Sequence, residues 1–430
     1  MTETTAPDAP DAAALITTTA HAARQAQRRL AEATREHKDA ALRTMAAHLR
    51  VKASSVLAAN ALDLERARAA GMRPGLIDRL ALSAKRIEAI CIALEEIAAL
   101  PDPVGQIVDG QRLPNGLRVR RVRVPMGVVG MIYEARPNVT ADVAALTIKS
   151  GNAVILRGGS AAQDTNAVIV DILRQALDAV DLPADLVSTV DAAGREGARA
   201  LMHARGLIDV LVPRGGAGLI RTVVEESRVP VIETGSGNCH VYVDASAQVR
   251  PAVDIIVNAK TQRVGVCNAA ETLLVHRAIA ADYLPAAAAA LWERGVVLHA
   301  DSFVRDLLTA PAVLAGREEL LVEASEEDWA TEYGSADLAV HIVDDVEEAI
   351  AHIRAYTSGH TEAVLAQDAG VINRFVAGMD SAAVMVNAST RFTDGGQLGL
   401  GAELGISTQK LHARGQLQRS EERRVGKECR

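Results

Sequence analysis

From Val128 onward the chain repeats one pattern: short runs rich in Val and Ile, at Val128–Tyr133, Ala153–Leu156, Leu186–Val190, Ile208–Val212 and Val229–Ile232, are separated by segments with helical periodicity. Near-continuous apolar strands spaced by single helices belong to parallel sheets covered on both faces. The stretch therefore predicts a wound α/β domain, and such sheets take nucleotides beyond the carboxyl ends of their strands. After Val241–Asp244 the alternation begins again, at Thr272–Val275, Leu338–Val343, Ala363–Leu365 and Ala383–Val386, which predicts a second α/β domain from about residue 240.

The residues before this grammar read differently. Ala13 to Leu100 is Ala-rich and helical; Ile87, Ile90, Cys91, Leu94 and Ile97 recur at three- and four-residue steps behind Ser83, a candidate N-cap. Cys91 is thus expected to pack as a small hydrophobe. Asn115-Gly116 separates Gln106–Leu113 from Leu117–Val124 and predicts a hairpin with a two-residue turn. Its second arm, with Arg118, Arg120 and Arg121 among Val119 and Val122, suggests a ribbon with a polar face. The first 14 residues, MTETTAPDAPDAAA, are acidic and Pro/Ala-rich, which reads as a loose tail and not a secretory signal.

Composition excludes several classes. The formal net charge of -8 argues against a nucleic-acid surface, and no apolar run is long enough for a membrane span. Aromatic residues are only 2% of a chain that is 49% hydrophobic, so Ala, Val, Leu and Ile must fill the core. Cys91, Cys239, Cys267 and Cys429 are too scattered for a disulfide framework or a zinc site, which points to a reducing, cytoplasmic setting with no metal.

One of those cysteines sits in a setting suited to chemistry. Cys267, in NAKTQRVGVCNAAE, occupies a short loop ahead of the strand-like Thr272–Val275, with Lys260 and Arg263 close in sequence. A thiol reacts as thiolate and needs access and nearby positive charge, so Cys267 is a candidate nucleophile; burial as a small hydrophobe is the alternative. Arg157-Gly158-Gly159-Ser160 and Pro213-Arg214-Gly215-Gly216 stand at strand ends, where glycine lets the backbone approach a phosphate and arginine supplies charge. Asn138, between a strand and a helix in YEARPNVTAD, is either an oxyanion donor or a helix cap. Glu332 lies beside Trp329 and Tyr333, where a carboxylate is placed to grip ribose hydroxyls or is simply solvated. Gly235-Ser236-Gly237-Asn238 begins like the dinucleotide fingerprint but leads into a strand, so that reading fails. Cys239 and His240 are adjacent in an extended segment and point to opposite faces, so they form no dyad; packing is expected for Cys239 and a hydrogen-bonded loop position for His240.

The stretches RVPMGVVGMIYEARPNVTAD, KSGNAVILRGGS, IDVLVPRGG, TGSGNCHVYVD, NAKTQRVGVCNAAETLLVH and NASTRFTDGGQLGLGAELGISTQKLHARG, in this order, resemble the aldehyde dehydrogenase superfamily from about Ala20 to Gly415. The resemblance implies an N-terminal helical and NADP-binding domain over residues 15–239, with the hairpin 106–124 in an oligomerisation ribbon. It also implies a catalytic domain over 240–386 and a return segment over 387–415 that joins the ribbon of a homo-oligomer, dimer or tetramer. Cys267 matches the family nucleophile and Asn138 the oxyanion donor. Arg157 to Ser160 and Pro213 to Gly216 match the cofactor turns, and Glu332 the ribose carboxylate. Glu233 matches the family's general base only loosely. The implied reaction is NADPH-dependent reduction of L-glutamyl 5-phosphate to L-glutamate 5-semialdehyde through a cysteine thioester, in proline biosynthesis, with possible handover from glutamate 5-kinase. The charges of that substrate make Arg263, Arg391 and Arg136 candidates for holding it. A hydrolytic aldehyde dehydrogenase and a cysteine acyltransferase without nicotinamide are the alternatives. The final residues, 416–430, depart from the family pattern and read as a charged, non-native, disordered tail.

Overall fold

The computed structural model describes residues 11–314, 316–398, 403–410, 415–417 and 421–428. Residues 1–10 of the expected N-terminal tail and Cys429 lie outside them. The chain divides into two compact units, Met1–Thr234 with Gly401–Gly405 and Leu417–Arg430, and Gly235–Leu400 with Ile406–Gln416.

The first unit opens with helices α1 (Ala12–Ala31), α2 (Arg35–Val51), α3 (Ala53–Ala69), α4 (Pro74–Leu80) and α5 (Ala84–Ala99). Helix α1 begins inside the stretch expected to be loose, because the Asp11 side chain accepts from the Ala13 N–H and caps it. Thr34 and Ser83 cap α2 and α5 in the same way. Strands β1 (Ile107–Arg112) and β2 (Arg118–Pro125) form the expected antiparallel ribbon. Its turn differs from the two-residue form. Gly116 N–H donates to the Leu113 carbonyl, Leu113 N–H to the Leu117 carbonyl, and only Gly116 takes a positive φ, of 87°. This is a three-residue loop closed by a glycine bulge, set by Pro114 ahead of Asn115.

The wound sheet follows: β3 (Val128–Tyr133), α6 (Pro137–Lys149), β4 (Ala153–Gly158), α7 (Gln163–Asp178), β5 (Val187–Thr189), α8 (Gly194–His203), β6 (Val210–Arg214) and α9 (Ala217–Glu226). All pairs are parallel, in the order β5-β4-β3-β6. The fifth run, Val229–Ile232, adds only a bridge from Val231 to Leu211. The core joins both strand faces to α1, α2, α5, α6 and α7, through residues such as Leu42, Leu94, Leu146 and Leu156, with Cys91 fully buried among them.

The second unit holds β7 (Cys239–Val243), α10 (Val249–Thr261), β8 (Ala270–His276), α11 (Arg277–Trp292), β9 (Val297–Ala300), α12 (Ser302–Leu308), α13 (Pro311–Leu314), β10 (Leu321–Glu323), β11 (Asp337–Val343), α14 (Val346–Tyr356), β12 (Thr361–Leu365), α15 (Ala369–Gly378) and β13 (Ala383–Val386). These strands make one parallel sheet in the order β10-β9-β11-β8-β7-β12-β13. Strands β9 and β10 were not anticipated; His299 interrupts the first, Glu323 ends the second, and both strands are only partly buried.

Three short strands end the chain: β14 (Gly405–Ser407), β15 (Gly415–Leu417) and β16 (Glu421–Glu428). Strand β16 pairs antiparallel with β2, from Glu421 opposite Pro125 to Glu428 opposite Arg118. The expectation of disorder over the last residues is thus corrected at 421–428. The free edge of β2 offers backbone donors and acceptors that pair with any extended segment, whatever its side chains. No helix among the described residues is long and apolar enough to cross a membrane.

Candidate active site

In the first unit the chain runs from β3 to β4 and β5 on one side, then returns to place β6 on the other, so strand order reverses between β3 and β6. Ligands of open α/β sheets enter at such a reversal, at the carboxyl edge. The two predicted glycine turns lie there; Glu332 belongs to the other unit. Tyr133, the last residue of β3, pairs with Gly158 on one side and Arg214 on the other. Gly158, Gly159 and Ser160 therefore leave β4, and Gly215 and Gly216 leave β6, on either side of the segment Glu134–Asn138. Arg157 Nε donates to the Gly194 carbonyl at 3.3 Å, and Gly158 N–H donates to Asp191 at 2.6 Å. Pro213 lies in β6, whose last residue is Arg214, and the Arg214 guanidinium donates to the Leu404 carbonyl.

A side chain at either of two of these glycines would displace a neighbour: a buried amide at Gly158, and only the ends of flexible side chains at Gly215. A Cβ on Gly158 would collide with the Asn166 amide. A Cβ on Gly215 would fall 2.7 Å from Leu219 Cδ2 and 2.8 Å from the Glu134 carboxyl carbon. Glu134, which sequence reasoning missed, accepts from Gly216 N–H at 2.9 Å and so caps α9. Its signal was visible only as an acidic residue in YEARPN; the partner lies 82 residues away.

Asn138 stands in the first turn of α6, behind Arg136 and Pro137, and makes no cap. Its Nδ2 donates to Asp142 Oδ2 at 3.0 Å, one helical turn on. Burial pushes the Asp142 carboxyl up to about 6, against the Asn138 hydrogen bond and the Arg214 charge, which lower it. Arg136 and Glu233 are both half-buried in this unit.

In the second unit the chemistry-bearing residues collect at the amino edge of the sheet. Cys267 lies in the turn between α10 and β8, where Ala269 N–H donates to the Val266 carbonyl. Its side chain is half-buried, whereas Cys91 and Cys239 are buried. The segment entering β7 packs directly against this turn. A Cβ on Gly237 would fall 2.5 Å from Cys267 Cα and closer still to its carbonyl group. The Cys239 thiol donates to the Cys267 carbonyl at 3.2 Å. Cys239 thus packs as expected, and it also holds the nucleophile turn from beneath. His240 is in β7 and not in a loop; fully buried, it contacts Glu362 through Nδ1 at 3.1 Å.

The turn is held on its other side by residues 389–393. Thr390 Oγ1 donates to the Asn268 carbonyl at 2.7 Å, and Asn268 Nδ2 to the Arg391 carbonyl at 3.4 Å. Arg391 is itself buried, with Nε donating to Gln262 at 2.9 Å. The structure thereby brings Arg391 to the nucleophile turn, beside the exposed Arg263.

Lys260 takes another role than the one expected. It is fully buried and pairs with Glu271, also fully buried, at 2.5 Å, so its charge is committed inside the fold. Desolvation lowers the Lys260 ammonium, and burial raises the Glu271 carboxyl to about 7. Glu271 Oε1 accepts from Gly334 N–H at 3.3 Å, in the loop that carries the exposed Glu332. One buried pair therefore ties the helix before Cys267, the strand after it and the Glu332 loop. Asn238 adds a second tie, donating to the carbonyls of Trp329 at 2.8 Å and Tyr356 at 2.9 Å. Among the described residues no cluster of His, Cys, Asp and Glu is arranged for a metal.

Known proteins share this arrangement. The sequence model of the aldehyde dehydrogenase family matches residues 3–302. A gamma-glutamyl phosphate reductase of Kineococcus radiotolerans is 58% identical over 91% of this chain and 90% of its own length. The one of Thermobifida fusca is 56% identical over 92% of each chain. The crystal structure of gamma-glutamyl phosphate reductase from Thermotoga maritima superposes with a TM-score of 0.90 at 42% identity, covering 96% of this chain and 98% of that one. An acetylating aldehyde dehydrogenase from Geobacillus thermoglucosidasius shares the fold, with a TM-score of 0.68 at 19% identity. Family membership implies a nicotinamide cofactor and a small-molecule substrate. The two wound sheets and these matches agree: the chain belongs to the aldehyde dehydrogenase family, in the branch it forms with the gamma-glutamyl phosphate reductases.

Proposed function

We propose that this chain reduces L-glutamyl 5-phosphate to L-glutamate 5-semialdehyde with release of inorganic phosphate, using NADPH and a thioester on Cys267, as a step of proline biosynthesis in the cytoplasm. What carries the reading is identity of 54–58% over about nine tenths of both chains with relatives named for that reduction. The half-buried thiol of Cys267, on a turn held from two sides, supplies the group that such chemistry requires.

The glycine turn at Arg214–Gly216 fits a dinucleotide. It lies at the strand reversal, and its two glycines put no side chain between the backbone and a ligand, with the Gly216 N–H engaged by Glu134. Arg157 to Ser160 and Pro213 to Gly216 are the residues assigned to hold the cofactor, with Glu332 for the ribose. When bound, the cofactor supplies the hydride that brings the acyl carbon to the aldehyde level. The rest belongs to the chain. Cys267 Sγ attacks the acyl carbon, the carbonyl oxygen becomes an oxyanion, and the C–O bond to phosphate breaks with its electrons leaving on phosphate. The Asn138 amide is the assigned donor for that oxyanion. Arg263 and Arg391, with Arg136, are assigned to the phosphate and carboxylate of the substrate, since guanidinium binds both in bidentate fashion. A thioester awaiting reduction must be kept from water, which gives Glu233 no place as a hydrolytic base. The lability of an acyl phosphate favours handover from the kinase that makes it, and the ribbon of β1, β2 and β16 is assigned to a homo-oligomer.

The test is Cys267→Ser, assayed in the reverse direction with glutamate semialdehyde, phosphate and NADP. Turnover is expected to vanish while cofactor binding, measured by calorimetry, persists. Turnover independent of phosphate in the wild type would instead favour a hydrolytic dehydrogenase, and turnover without nicotinamide a plain acyltransferase.

A further inference from the structure

We infer that Asp142 is a positioning residue for Asn138, holding the amide so that an N–H, and not its carbonyl, is presented to the oxyanion; the inference rests on the oxyanion role proposed above. A primary amide has two faces of similar shape and opposite polarity, and an exposed asparagine flips between them. A carboxylate removes that freedom because it only accepts. With Nδ2 donating to Asp142 Oδ2 at 3.0 Å, the amide is fixed with its NH2 side toward Asp142 and its second N–H left to point elsewhere. The turned amide, which would aim Oδ1 at the developing negative charge, loses the hydrogen bond and faces oxygen to oxygen. The spacing of four residues on α6 places the two side chains one above the other, and Pro137 at the first helical position fixes the turn that carries Asn138.

A carboxylate close to an oxyanion donor carries an electrostatic penalty, and Arg214 on β6 offsets it: its charge bears on Asp142 and favours the ionised form. Asp142 so links the donor to the arginine of the cofactor turn within one unit. The device also has a pH limit. Protonated Asp142 carries both a donor and an acceptor, so it pairs with either face of the amide and no longer fixes one. Desolvation holds this carboxyl at about 6, so that loss of selection sets in below about pH 6.

The experiment is a double-mutant cycle on the full-length enzyme, with Asn138→Ala, Asp142→Asn, Asp142→Ala and Asn138→Ala/Asp142→Asn. The readouts are kcat and KM for glutamate semialdehyde between pH 5 and 8, with cofactor binding as a check on folding. Asn138→Ala is expected to lower kcat about 10²-fold, the cost of one oxyanion donor. Asp142→Asn and Asp142→Ala are each expected to lower kcat about tenfold with KM little changed, a part of that same cost. The wild-type decline in kcat below pH 6 should lose its Asp142 component in both. In the Asn138→Ala background, Asp142→Asn should change nothing further. Two results overturn the inference: an undiminished kcat in both Asp142 variants while Asn138→Ala is crippled, or the same loss from Asp142→Asn with and without Asn138. Full activity in Asn138→Ala would instead remove the oxyanion role itself, a separate failure with its own signature.

Discussion

Gly237→Ala tests the placement of the nucleophile turn with the smallest change available. The added Cβ would stand 2.5 Å from Cys267 Cα and nearer to the carbonyl carbon and oxygen, whereas real Cβ atoms essentially never come within 3.0 Å of a neighbour. The obstacle is backbone on both sides, so no rotamer relieves it, and the Cys267 turn must retreat by about 1 Å or more. A displacement of that size at a reacting atom costs about 10²-fold in rate. That corresponds to about 2.7 kcal/mol of barrier. The Cys239 thiol bond to the Cys267 carbonyl, 3.2 Å long, should be lost with it. The assay is kcat with semialdehyde, phosphate and NADP, paired with the rate of Cys267 alkylation by iodoacetamide and a urea melt. We expect kcat to fall at least 10²-fold and alkylation to change, with the protein still folded. Gly235→Ala is the comparison, since the three atoms nearest its Cβ belong to the Thr408 side chain and none to backbone. Gly237→Ala activity within a few-fold of wild type would show that the nucleophile turn is not set by this contact.

Other outcomes follow from the buried charges. Lys260→Met takes the partner from the buried Glu271 and should cost about 3–5 kcal/mol in a urea melt. Lys260→Met/Glu271→Leu should recover most of that loss, since apolar groups of similar size often replace a buried pair without penalty. Equal instability of single and double variants would contradict the pairing. Burial holds His352 and His360 down, to about 3 and about 4, so between pH 6.5 and those values the unfolded chain takes up protons that the native state refuses. Stability from these groups is full above the ordinary histidine pKa and is lost as pH falls, by about 1.4 kcal/mol per unit for each ring. Asp142, raised to about 6, works the other way and offsets part of the loss. His352→Phe should therefore lose about 2 kcal/mol less than wild type between pH 7 and pH 5 in urea melts; parallel pH curves would refute the assignment.

The architecture was legible where burial writes a long signal. Strands β3 and β13 were read to the residue, since both are apolar runs without a charged side chain. Strands β9 and β10 escaped because His299 interrupts one and Glu323 ends the other, and both strands are only partly buried. The ribbon was visible in its arms and misread in its turn, as Pro114 shifted Asn-Gly from a two-residue loop into a bulge. At the chain end, composition was the wrong guide. EERRVGKE has the charge of a disordered tail, yet its backbone pairs along β2, and pairing depends on an available edge more than on side chains.

The candidate site divides along the same physical line. Cys267, Arg391 and the two glycine turns announce themselves because glycine, asparagine and arginine cluster around them in the sequence. The groups that hold them do not. Lys260 read as a cation beside the thiol, and only the fold reveals that Glu271 lies opposite it, seven and four residues from Cys267 respectively but joined across a helix and a strand. Gly237 sat in a stretch dismissed as a failed fingerprint, although its glycine is demanded by the nucleophile's own backbone. A close approach between segments 30 residues apart has no local signature. Asn138 and Asp142 are the exception. Their spacing of four on a helix was open to inspection, and it became informative only once α6 was seen to start at Pro137, which places both side chains on one face.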